Sequence, residues 1–312
     1  MAEKKSKLEK EYSCVIAALS RVGILTILPR SGKPGVTGID GKEYPAPTKE
    51  QVKKAFARNK GLVARKMRQG FTRLQLTPIA MPVPKLIELL KKAVLKHSAE
   101  GKINRTKQKP AEADVPAQVN KEEQVWIWEK VCKALDTSKI VYFPKAYDAS
   151  GHKGLTKKET ILTKRLCAVP GWSIGLIEPI PVMPKQGKGK TRGGRKQLEA
   201  NSNPHEYLRT LSTPAYEGET GWTPEDFLIQ FITQLEMTNQ VSHDRHDSNA
   251  LWLLGAYIPD LMPKSGNKRY KMQLVPVGYW SSDTGRKMYF SAHRTGNRFR
   301  ICVARTMVRL GV

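Results

Sequence analysis

The chain is short of negative charge. Its 312 residues hold 28 Asp and Glu against 54 Lys and Arg, a formal net charge of +26. Such a surplus strains a compact state by self-repulsion, and a polyanion relieves it; nucleic acid is the usual one. Charge speaks to partners, however, and not to fold. Cysteine is also scarce. Cys14, Cys132, Cys167 and Cys302 are widely spaced, with no C-x-x-C pair. That argues against a zinc finger, whose ligands come in close pairs, and against a disulfide framework. The four read as small buried hydrophobes in a reducing compartment.

Long apolar runs are missing too. None approaches the ~18 residues that cross a bilayer, and the run from Cys14 to Leu19 is too short for a secretory signal. The expectation is a cytoplasmic protein with no membrane partner. Catalytic strings are equally absent: no serine nucleophile elbow, no carboxylate pair in a shared apolar context, no Cys/His pair at motif spacing. No enzymatic chemistry and no cofactor is expected.

The chain does have enough apolar material, 39% of residues, to bury a core. Cys14 to Leu28 is apolar and fits helix or strand. Gly35 to Tyr44 reads as a hairpin turning at Asp40-Gly41. Thr48 and Gln51 stand in capping-box spacing before a helix through Val52, Ala55 and Phe56. Phe71 to Thr77 alternates like a strand, and Pro84 opens a helix with Leu86, Leu89, Leu90, Ala93 and Val94 on one face. Gly101 to Val119 reads as an exposed linker or a long loop. Asn120 with Glu123 predicts a helix carrying Val125, Trp128, Val131, Cys132 and Leu135 inward. Ile140 to Phe143 is a strand, and Thr156 with Glu159 caps another helix.

Gly171 to Met183 is strand-like but broken by prolines, which predicts a sheet edge. Gln186 to Gly194 is a Gly- and Lys-rich loop. Helices start at Asn203 and at Thr223-Pro224, the second carrying Phe227, Leu228, Phe231, Ile232 and Leu235 at helical spacing. From Leu251 onward the text is strand and turn. Helices dominating early and strands late predict an α+β fold, helix-rich first and strand-rich at the end. The division by composition is 1–110, 111–250 and 251–312.

Charge is segregated along the chain. Residues 51–110 hold 16 basic and 2 acidic residues, 251–312 hold 11 and 2, and 211–250 hold 1 and 7. The acidic helix is therefore expected to pack near a basic region. Arg58, Lys60, Arg65, Lys66, Arg68 and Arg73 form the densest cationic cluster and could grip a phosphate backbone, though only Phe56 and Phe71 interleave for stacking. No sequence-reading motif for nucleic acid accompanies them.

Two other motifs fall short. Gly189-Lys190-Thr191 has the tail of a phosphate-binding loop, but Pro184 stands where the first glycine is required and no apolar helix comes after it. His243 to Asp247 gathers two imidazoles and two carboxylates without a third ligand position or a general base. A polar loop and no metal are expected there.

One stretch near the C-terminus is more specific. Gly278-Tyr279-Trp280-Ser281-Ser282-Asp283 precedes Lys287-Met288-Tyr289-Phe290, and the chain closes through Arg300-Ile301-Cys302-Val303-Ala304-Arg305 to Met307-Val308-Arg309-Leu310. This order resembles the end of C-type-lectin-like domains of formylglycine-generating enzymes and of diversity-generating retroelement variable proteins. The first branch uses reactive cysteines or copper, for which this region offers only Cys302. The second implies a rigid scaffold displaying variable side chains to a protein or other macromolecular ligand. On that reading Trp280 is a core residue, and Tyr279, Asp283, Arg286, Tyr289, His293, Arg294, Asn297 and Arg298 form the ligand-binding surface, a mixture of aromatic area and adaptable polar groups. A backbone-contacting nucleic-acid-binding protein is the alternative.

Overall fold

The computed structural model describes residues 7–107, 109, 111–179, 182–245, 250–263 and 269–311. The first third is α1 (Lys7–Arg21), β1 (Thr26–Ile27), β2 (Pro34–Thr37), β3 (Glu43–Pro45), α2 (Lys49–Arg58), α3 (Lys60–Arg68), β4 (Arg73–Thr77) and α4 (Val83–Ala99). The middle holds β5 (Val125–Ile127), α5 (Glu129–Ala134), β6 (Val141–Tyr142), α6 (Lys157–Leu162), β7 (Ser173–Ile177), β8 (Thr191–Arg192), β9 (Arg195–Lys196), α7 (Pro204–Leu211), β10 (Glu219–Gly221) and α8 (Pro224–Thr238). The end is all strand: β11 (Ala250–Trp252), β12 (Ala256–Pro263), β13 (Arg269–Ser281), β14 (Lys287–Arg294), β15 (Cys302–Ala304) and β16 (Thr306–Arg309). The fold is mixed α+β, helix-rich early and strand-rich late.

Capping chemistry sets the helix starts as expected. Thr48, Thr156, Asn203 and Thr223 each accept a backbone N–H from the third helical residue, whose side chain returns the bond. The hairpin β2–β3 turns through Gly41 at φ +71°, a left-handed angle that glycine adopts at no cost.

Several expectations are corrected. Asn120 caps an Asx turn, its Oδ1 accepting from the N–H groups of Glu122 and Glu123 at 3.0 Å. The next element is strand β5, because Val125, Trp126 and Ile127 favour extended backbone and pair in parallel with β14. Only Glu129–Ala134 is helical. β7 lies inside its sheet, between β16 and β4, and not at an edge. Pro179 falls beyond Ile177, so the ladder loses no donor. The loop at 186–194 runs into the small hairpin β8–β9. Within the stretch 101–119 the described residues form a loop and not an exposed linker: Ile103, Thr106 and Ala117 are buried, and Asn104 bridges to Pro116 and Gln240. Of the cysteines, Cys167 and Cys302 are buried but Cys14 and Cys132 are exposed.

Two sheets and the helices packed on them, α4 and α8 foremost, make the core. The sheet β10–β16–β7–β4 draws strands from all three compositional stretches, so its ladder crosses both divisions. The larger sheet runs β15–β11–β13–β12–β6, with β14 along β13 and β5 beyond it. Helix α8 packs on α1, α4, β4 and β13; its first ten residues are buried, polar ones included, and only its last turn reaches the surface. Its two leading carboxylates are buried with partners: Glu225 with Lys157 (3.0 Å) and the Tyr142 hydroxyl (2.8 Å), and Asp226 with Arg309 and the Thr77 hydroxyl (2.8 Å). The acidic helix thus offsets buried cations, Arg309 of the basic C-terminal region among them. Among the described residues no helix is long and apolar enough to cross a membrane.

Candidate ligand-binding face

Strands β13 and β14 pair antiparallel in the register Val275↔His293, Val277↔Ser291, Tyr279↔Tyr289 and Ser281↔Lys287. Side chains alternate across a sheet, so this register sorts the hairpin into two faces. The inner face carries Gly278, Trp280, Met288 and Phe290. Trp280, Met288 and Phe290 are fully buried. Phe290 stacks on Phe227 of α8 at 6.2 Å, and Trp280 meets Phe231 at 5.9 Å. Gly278 is required there, since a Cβ would come within 2.5 Å of the Phe227 ring. Trp280 is a core residue.

The outer face begins with Tyr279 and Tyr289, half-buried and stacked with centroids 5.2 Å apart and planes 10° from parallel. Trp126 of β5 stands beside Tyr289 at 5.6 Å. Two cations lie over these rings: the Arg245 guanidinium 5.8 Å from Tyr279 and the Lys287 ammonium 5.6 Å from Tyr289. Lys287 is also bonded to Glu123. Burial raises the Tyr279 pKa although Arg245 opposes it, so the hydroxyl stays a donor at neutral pH.

The tip of the hairpin is pinned from below. Asp244, fully buried, bonds the Ser282 hydroxyl, while the Trp280 backbone N–H donates to the His243 carbonyl at 3.0 Å. Arg286 adopts φ +54° and its carbonyl accepts from the Asn120 N–H at 2.7 Å. Asp283 and Arg286 are both exposed at this tip.

The other four candidates sit at the far end of β14 and just beyond it, four residues or about 13 Å along the strand. His293 shares the outer face but packs between Phe299 (4.8 Å) and Trp252 (6.0 Å), and burial lowers its pKa. Arg294 is exposed, Asn297 closes a turn onto the Arg294 carbonyl, and Arg298 reaches Glu206 on α7. The eight therefore form two groups, each with two exposed and two half-buried members, and only the first holds a pair of stacked aromatic rings. Trp126, Arg245 and Lys287 complete it, although sequence reasoning does not single them out. The β-forming triplet Val125-Trp126-Ile127 is the available signal for the first.

The cationic cluster is dispersed by the fold. Arg58, Lys60 and Arg68 are exposed, and Arg65 pairs with Glu217 at 2.8 Å. Lys66 has no exposed surface; its ammonium lies 2.6 Å from Glu219, and it leaves the phosphate-gripping set. Arg73 lies against α8, donating to Gln234 Oε1 at 2.7 Å. The reason is topological: α3 packs on a buried ion network in which Glu219 also accepts from Arg195 (2.7 and 2.8 Å) and Thr306 (2.6 Å), while β4 lies at the other edge of the sheet, on α8.

The two weaker motifs are accounted for. The N–H groups of Gly187 and Gly189 donate to the Glu199 carboxylate at 3.0 and 2.7 Å, so a side chain takes the place an external anion would need. His243 is buried against Trp222 and Phe227, with Nε2 3.2 Å from Gln230 Oε1; His246 and Asp247 lie outside the described residues. Among the described residues no three His, Cys, Asp or Glu side chains converge as a metal site. Comparison with family models, with curated proteins and with solved structures returned no match.

Proposed function

We propose that this chain is a non-enzymatic binding protein that contacts a protein or other macromolecular ligand through the outer face of its C-terminal hairpin, in the manner of a C-type-lectin-like display domain. The observation that carries the reading is the Tyr279–Tyr289 stack, flanked by Trp126 and topped by Arg245 and Lys287. Two stacked tyrosines offer amphipathic area at small entropic cost, and the cations add directional donors. Behind them stands a rigid inner face, so the display surface can vary while the scaffold holds. The last strand, carrying Val308 and Arg309, closes a sheet between β10 and β7, which suits the resemblance.

Sequencing the 3′ end of the gene across many cells of its source population tests this. Substitutions should concentrate at the open positions between 279 and 300 while Gly278, Trp280 and Phe290 stay constant. An even spread along the chain would discard the display reading.

The net charge of +26 favours a second reading, phosphate-backbone binding by Arg58, Lys60 and Arg68 with the basic C-terminal region. Titration with duplex and single-stranded DNA separates the two. Backbone binding should weaken steeply between ~50 and ~200 mM salt. An affinity indifferent to salt would set that reading aside.

A further inference from the structure

A cleft of about 830 Å3 that shares no residue with the hairpin face opens between α1, the β2–β3 hairpin, the start of α2 and the Val169-Pro170 turn. That volume lies in the range of small-molecule sites. Its walls include Ile16, Leu25, Pro34, Ala46, Val169 and Pro170. Most polar groups of the lining are already engaged. Tyr12 donates to the Pro47 carbonyl at 3.0 Å, and Tyr44 donates to Asp40 at 2.8 Å. Burial and that bond push the Tyr44 pKa up to about 12, so its proton stays in place. Glu43 accepts the N–H groups of Arg30 and Ser31 at 2.6 and 2.9 Å. Thr48 and Gln51 satisfy one another in the capping box, and Lys49 lies 3.6 Å from Glu9.

Apolar surface and two charges are left open to a ligand. Glu50 sits in the first turn of α2, where the helix dipole offsets a carboxylate. Lys33 is exposed, makes no ion pair among the described residues, and belongs to a chain with a large positive surplus. We propose that this cleft binds an amphipathic small molecule, with an apolar body against Ile16, Leu25 and Val169 and a single anionic head at Lys33. A ligand rich in hydrogen-bonding groups would be a poor occupant, because its donors and acceptors would lose water and find few partners.

The test uses the full chain and the neutral fluorescent dye N-phenyl-1-naphthylamine, displaced by decanoate or by decyltrimethylammonium. Saturable 1:1 dye binding is expected, with decanoate displacing at a concentration at least tenfold lower than the cationic chain. Lys33→Glu, on the open surface, should reverse that preference. Ala46→Trp should fill the cleft and abolish dye binding. Three results would each overturn the proposal: no saturable binding to the unaltered chain, equal displacement by both head groups, or an order of preference unmoved by Lys33→Glu. So would a self-associated chain that takes up dye only on dilution, since the occupant would then be a second copy.

Discussion

Arg195 places its Nε and Nη2 on the two carboxylate oxygens of Glu219, at 2.7 and 2.8 Å, with both side chains buried. Lys66 shares that carboxylate at 2.6 Å, and Arg195 reaches Glu178 at 3.3 Å. The arrangement ties α3, β9, β10 and the end of β7 together through charge. A buried pair is weak evidence of net stabilisation, but breaking one leaves an uncompensated ion. Glu219→Ala should therefore lower unfolding free energy by about 3–5 kcal/mol, read from urea denaturation. A loss under about 1 kcal/mol would mean that water reaches these cations.

Gly278 faces the Phe227 ring with no room for a methyl group. Gly278→Ala should overpack the contact between β13 and α8 and cost about 1–3 kcal/mol. A stability equal to that of the parent chain would show that the hairpin can lift off the helix freely.

Tyr279 and Tyr289 should behave in the opposite way. Their stack contributes only about 0.5–1.5 kcal/mol beyond area burial, to be measured as the coupling in a double-mutant cycle. Substituting both by Ala should lower the urea midpoint only by that coupling and the rings' partial burial, leaving a cooperatively folded chain that has lost ligand contact. Global unfolding of the double variant would reassign the pair from display to core.

Acid should destabilise the protein before its carboxylates titrate. Burial, then the nearby Arg305 charge, hold the His243 pKa well below the ordinary 6.5, and burial lowers His293 and His205 as well. Between those depressed values and 6.5 the unfolded chain binds more protons than the folded one. Stability is therefore full above about pH 6.5 and falls as pH drops through that value. His243, fully buried, accounts for up to about 1.4 kcal/mol per pH unit. Urea unfolding from about pH 7 to about pH 5 should show this slope. His243→Asn, which tolerates the positive φ at this position, should flatten it. An unchanged slope in that variant would exclude His243 as its source.

Local chemistry is legible in the residues themselves. The capping boxes at Thr48, Thr156, Asn203 and Thr223 and the Asp40-Gly41 turn are decided within a few residues, by side-chain oxygens and by φ preference, so their positions can be read directly. Helix α8 is legible from Phe227, Leu228, Phe231, Ile232 and Leu235 at helical spacing. The aromatic part of the candidate face is legible only in part: Tyr279 and Tyr289 stand out, but Trp126 reads as helical. Nothing local separates Val125-Trp126-Ile127 as strand from the same residues as helix; pairing with the distant β14 does.

Composition by itself determined the charge surplus, the supply of apolar residues for a core and the order of helix-rich and strand-rich text. Only the tertiary structure decided which cations face solvent. Lys66 and Arg58 look alike in sequence, yet one lies under Glu219 and the other is exposed, because burial depends on which distant carboxylate the topology delivers. The same reason places β7 inside a sheet and puts the Gly187 and Gly189 amides on Glu199. Hydrogen-bond and charge partners far apart in the chain are chosen by packing, and no short window of sequence contains them.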